Sequence, residues 1–107
     1  MTSNAAPAPI HVVFALLPGS LVLDWAGPAE ALRIANQVLQ AQGQPARFVL
    51  HFVSPTPEAA TSVGVALAGL APLPAQLPAP AWVVLVGMPG STIGVESHET
   101  RTLLHWL

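Results

Sequence analysis

At 107 residues, 52% hydrophobic and only 7% charged, the chain is bounded to one domain that buries roughly 60 to 70% of the surface its unfolded form exposes. Its net charge is −2, it has no lysine, and arginine occurs only at 33, 47 and 101, so no basic stripe is available for phosphates and direct nucleic-acid binding by this segment is not expected. Cysteine is absent, which removes disulfides, thiolate metal sites and thiol nucleophiles together. With so few charges to cover the surface, some apolar area is expected to remain exposed and drive self-association.

Residues 1 to 9 carry neither a basic nor an apolar leader region and read as a short disordered lead. Ile10 to Leu17 is a nearly continuous apolar run, rich in β-branched residues and stopped by Pro18-Gly19, as in a strand buried on both faces. Pro28 to Gln42 places Ala31, Leu32, Ala35, Val38 and Leu39 at helical spacing, with Glu30, Arg33, Gln37 and Gln40 opposite them. Pro28 suits the first helical position and Gly43 the C-terminal cap. Arg47 to Ser54 is a second strand closed by Pro55-Thr56-Pro57, and the order strand, helix, strand predicts a parallel βαβ unit.

Ser62 to Leu70 reads as a short hairpin or edge excursion, and Ala71 to Pro80 as an extended proline-rich connector. Trp82 to Val86 is a third buried strand leading into Gly87-Met88-Pro89-Gly90. A final helix follows, capped by Ser97, with Glu99 in its first turn and Leu103, Leu104 and Leu107 on its apolar side. Trp82 is expected in or beside the core, and Trp106 against a segment that follows the chain, because an α/β layer here reads as cut in half. No apolar run reaches the roughly 18 residues that a membrane span needs, so the cytoplasm is the expected location.

Asp24 sits where the first strand gives way to a helix, the rim at which open α/β sheets place ligand contacts, and it can equally serve as a capping carboxylate. Glu30 is spaced to pair with Arg33. The turn Gly87-Met88-Pro89-Gly90 offers backbone amides of the kind that build an anion-binding concavity, although the lysine and Ser/Thr of a Walker loop are absent. His11, His51, His98 and His105 show no close pair at metal-ligand spacing, so no metal site is expected. Ser20 lacks the Gly-x-Ser-x-Gly elbow of a nucleophile.

The segments His11-Val-Val-Phe-Ala-Leu-Leu-Pro-Gly19, Leu23-Asp24-Trp-Ala-Gly-Pro28-Ala-Glu30-Ala-Leu-Arg33, Phe52-Val-Ser-Pro55, Ser62-Val-Gly-Val-Ala-Leu67 and Val83-Val-Leu-Val-Gly87 resemble the ThiJ/PfpI superfamily of class I glutamine-amidotransferase-like domains. Residues 10 to 107 follow it in register, and the wording of the first helix is similar to the N-terminal sensor domains of GlxA-like, AraC-class transcription regulators. That resemblance implies a flavodoxin-like (Rossmann-like) three-layer α/β sandwich with a parallel sheet, of which this is the N-terminal portion. It also implies that the family's cysteine elbow lies beyond Leu107. In enzymatic members an acid after the first strand bonds that cysteine, and Asp24 matches the acid. Gly87 matches the first glycine of the loop lining the same site, and Met88 stands where a second glycine is common.

Two functions are expected from this. The first is a non-catalytic ligand-sensing or dimerisation domain of a regulator, with Asp24, Gly87 and Met88 contacting an unidentified small molecule and no cofactor. The second is the front part of a cysteine-dependent hydrolase or isonitrile hydratase.

Overall fold

The computed structural model describes residues 8–87 and 98–107. A small α/β domain is built on a parallel sheet of three strands in the order β2-β1-β5: β1 (Ile10–Ala15) in the centre, β2 (Phe48–Val53) and β5 (Ala81–Leu85) on either side. Helix α1 (Val22–Ala41) crosses from β1 to β2, and a two-stranded hairpin, β3 (Ala59–Ala60) with β4 (Ala66–Leu67), lies between β2 and β5. Helix α2 (His98–Trp106) ends the chain. The register pairs Val12 with Leu50 and Trp82, and Phe14 with Phe52 and Val84, so all three predicted strands are neighbours and run the same way.

The core has two halves because side chains alternate across a strand. Val12, Phe14 and Leu16 face α1, where Ala29 is buried and Trp25 and Leu32 pack against them. Val13, Ala15 and Leu17 face the other way, toward Leu103 and Trp106 of α2. Phe14 stacks on Phe52 at 5.2 Å, and Trp25 meets Phe52 edge-on at 5.9 Å. Full burial of each large apolar side chain contributes about 1.5–3 kcal/mol, so β1 carries much of the stability of the sheet.

Helix α1 differs from its sequence reading in where it starts. It begins at Val22, six residues before Pro28, which therefore lies inside it. Proline there removes the bond its N–H would make to the Asp24 carbonyl. Tertiary contacts offset the loss: the Leu21 N–H donates to the Gly87 carbonyl at 2.9 Å, and Trp25 is held against Phe52. The earlier start also sets the phase of the helix. The inward stripe runs through Trp25, Ala29 and Leu32, while the expected core positions Ala31 and Val38 face solvent, Val38 at 50% exposure. The C-terminus is as expected. Gly43 takes φ +76°, its N–H donates to Gln40 O, and the Gln44 N–H reaches Leu39 O, the double closure that a left-handed residue permits.

The hairpin begins three residues earlier than expected. Its turn is closed by the Thr61 N–H donating to Val65 O at 2.8 Å. The connector after it is tied down at its start, where Ala71 bridges Val53 beside the sheet. In α2 the buried side is Leu103 with Trp106, whereas Leu104 and Leu107 are more than half exposed, which corrects the expected apolar face. Trp106 donates its indole N–H to Pro74 O at 2.7 Å, so it meets the proline-rich connector of its own chain. Ser97, the expected cap, lies outside the described residues. Trp82 is half exposed and tilts against Phe48 at 5.8 Å, at the side of the core.

Candidate functional site

Parallel strands send their following loops to one rim, and that geometry brings Asp24 to Gly87. Residues after β1 turn at Pro18-Gly19 and enter α1. Residues after β5 reach Gly87, whose carbonyl receives the Leu21 N–H at 2.9 Å. Asp24 therefore stands in the first turn of α1 and not in a loop before it. Its own N–H donates to Leu21 O at 3.1 Å, and its carboxylate is exposed. Acidic groups are favoured there by the partial positive charge of the helix start. Leu21, at the N-cap, offers no side-chain acceptor, so Asp24 is the only carboxylate in that first turn.

A Cβ placed on Gly87 would lie 2.7 Å from Asp24 Oδ2, closer than van der Waals contact allows. Glycine at this position is what lets the carboxylate lie against the main chain at the end of β5. Among the described residues nothing donates a hydrogen bond to that carboxylate, so it presents an acceptor to any ligand entering over the rim. Met88 lies outside the described residues.

On the other side of the first turn of α1, Trp25 closes an apolar cleft of about 270 Å³ with Leu16, Phe52, Leu67 and Leu70. The Trp25 indole nitrogen is buried there without a hydrogen-bond partner among the described residues. Asp24 and Trp25, consecutive in the chain, thus serve different surroundings: the carboxylate faces the end of β5 and the indole faces β2 and the hairpin. Sequence reading picked out the first and missed the second, because the residues from β4 that complete the cleft are linked to it only through the hairpin fold.

Ser20 is buried, with Oγ accepting the Leu17 N–H at 3.0 Å and donating to Leu17 O. Its hydroxyl closes the turn after β1. Glu30 and Arg33 form the expected pair at 2.9 Å on the exposed side of α1. The Arg33 guanidinium, first by hydrogen bonding and then by its charge, holds the Glu30 carboxyl below its ordinary value.

Two of the histidines that the sequence holds far apart meet in the sheet. His11 Nδ1 and His51 Nε2 lie 2.9 Å apart across β1 and β2. The register places His11 opposite Val49 and His51 opposite Val13, so the two imidazoles project from the same sheet face one pleat apart. Only strand alignment reveals this, since 40 residues separate them in sequence. Among the described residues no cluster of three or more His, Cys, Asp or Glu occurs, and no helix is long and apolar enough to cross a membrane. Comparison with known protein families, curated proteins and solved structures returns no match.

Proposed function

We propose that this chain is a ligand-sensing and dimerisation domain of the kind that opens GlxA-like, AraC-class regulators, built as a flavodoxin-like three-layer sandwich of the ThiJ/PfpI superfamily and working in the cytoplasm without a cofactor. The observation that carries the reading is the carboxylate of Asp24 resting against Gly87 at the rim where two parallel strands end. Such an acceptor binds ligands that bring hydrogen-bond donors: amines, amides or hydroxyl compounds. Gly87 keeps the approach open. Without cysteine the chain offers no thiolate for acyl transfer or isonitrile hydration, and Ser20 is committed to its turn. With its low positive charge the segment reads no DNA itself; regulation would pass through dimer geometry.

Thermal-shift titration of the chain with a panel of small amines, amides and hydroxy acids tests the proposal, with Asp24→Asn as the control. The expected result is a dose-dependent rise in Tm for one class, lost in Asp24→Asn while that variant's ligand-free Tm stays within a degree or two. An Asp24→Asn chain that responds equally, or unfolds far earlier, makes Asp24 a structural cap and overturns the site. Hydrolysis of p-nitrophenyl acetate or hydration of an isonitrile that disappears in Asp24→Asn would instead establish the hydrolase reading. Sedimentation tests self-association, for which a concentration-dependent dimer is expected.

A further inference from the structure

From the outward face of α1 we infer an interface with a second copy of this chain, formed by two α1 helices packing antiparallel across a two-fold axis. The inference rests on the dimerisation half of the proposed function and names the surface that performs it. Helix α1 has 20 residues and is about 30 Å long. Its inward stripe is taken up by the sheet, yet a second apolar stripe runs along the opposite side: Leu23, Gly27, Ala31, Ile34, Val38 and Ala41, all exposed. Leu23 is 82% exposed, Ile34 49% and Val38 50%. From Gly27 onward the steps are four, three, four and three residues, the spacing of a seam along which helices pack side by side at a shallow angle.

The sizes along this seam select the occupant. Antiparallel pairing with its own copy sets Leu23 of one chain against Ala41 of the other, Gly27 against Val38, and Ala31 against Ile34. Every layer then joins one large side chain to one small one, which fills the space between the helices evenly. A parallel pair would set glycine against glycine and valine against valine, leaving a gap in one layer and crowding in another. The seam is thus complementary to itself, as an isologous interface must be. Outside the neighbouring residues of its own helix, a Cβ on Gly27 would meet nothing within 4 Å, so the hollow there is open to a side chain from another copy.

Charge agrees with this occupant. The seam carries none, and Glu30 and Arg33 at its flank neutralise each other within one copy at 2.9 Å. A rim that is already neutral favours an identical partner over a charged one, and the antiparallel order sets the two helix dipoles in favourable opposition. A strip about 30 Å long and about 10 Å wide buries on the order of 1,000 Å² over both copies, the low end for a specific interface, so the dimer is weak and concentration-dependent.

The test uses the full chain in sedimentation velocity over a range of concentrations. The parent is expected to form a reversible dimer. Ile34→Glu/Val38→Glu should weaken it at least about tenfold while keeping the parent's far-ultraviolet circular dichroism, since the symmetry places each charge in the interface twice. Because the chain has no cysteine, introduced thiols report the orientation by themselves. A mixture of Leu23→Cys and Ala41→Cys chains, both substituted at exposed positions and oxidised with diamide, should give the mixed disulfide in excess over either homodimer. A parent that stays monomeric overturns the interface and the dimerisation half of the proposed function together. A dimer that survives Ile34→Glu/Val38→Glu and dissociates in Leu85→Glu overturns the seam alone and moves the interface to β5. Ala41→Cys chains that cross-link chiefly with themselves overturn the antiparallel order.

Discussion

Strands β1 and β5 are both mainly apolar by sequence, and His11–Ala15 pair with Ala81–Leu85 in register, yet they live in different surroundings. Val12, Val13, Phe14, Ala15 and Leu16 are at most 1% exposed, whereas Trp82 and Leu85 are 50% and 56% exposed. Strand β1 has a hydrogen-bonded neighbour on each edge and a helix-bearing core half on each face; among the described residues β5 has β1 alone. Burial is thus conferred by position within the sheet, and an apolar pattern states only that a strand can accept it. The exposed side chains of β5 and, among the described residues, its edge without a pairing strand are where the proposed self-association would also be sought.

The sharpest way to break that comparison is a pair of truncations. Phe14→Ala should cost about 3–5 kcal/mol in urea unfolding, because it empties the stack on Phe52 at the sheet centre. Leu85→Ala should stay within about 0.5 kcal/mol, as for other surface substitutions. Comparable losses at the two sites would mean that β5 is covered in solution.

Smaller effects sharpen the contrast between centre and periphery. Asn36 of α1 accepts the Arg47 and Phe48 N–H groups, each at 2.9 Å, and donates to Phe48 O at 2.8 Å, fastening the start of β2. Asn36→Ala should cost about 1–3 kcal/mol, because it strips partners from three part-buried backbone groups. An unchanged denaturation midpoint would show that β2 is fixed by its pairing with β1 alone. Gly87→Ala should cost about 1 kcal/mol, since its methyl group must displace the Asp24 carboxylate. In an Asp24→Ala background that cost should vanish, and a double-mutant cycle reads the coupling directly.

The least effect is expected on the outer side of α1. Glu30→Gln should leave the unfolding midpoint unchanged at neutral pH and physiological salt, because the pair with Arg33 is exposed. The sign of any residue of that interaction is fixed. Arg33 lowers the carboxyl pKa in the folded chain, so the contribution is present above the ordinary glutamate value of 4.5 and fades as pH falls through the lowered one. A dependence of opposite sign in an acid titration of the parent against Glu30→Gln would exclude the pair as its source.

The sequence by itself determined the three strands, the long crossover helix, its glycine cap, the Glu30–Arg33 pair and the meeting of Asp24 with Gly87. Each of these follows from local periodicity, turn chemistry or the single rim to which parallel strands deliver their loops. Only the tertiary structure decided where α1 begins, since the contacts of Leu21 with Gly87 and of Trp25 with Phe52 accompany a helix that starts six residues before the start that Pro28 announces. It also decided which face of each helix turns inward, and that His11 and His51 touch. Those outcomes depend on distant residues brought into register, and a local pattern carries no term for a partner 40 positions away.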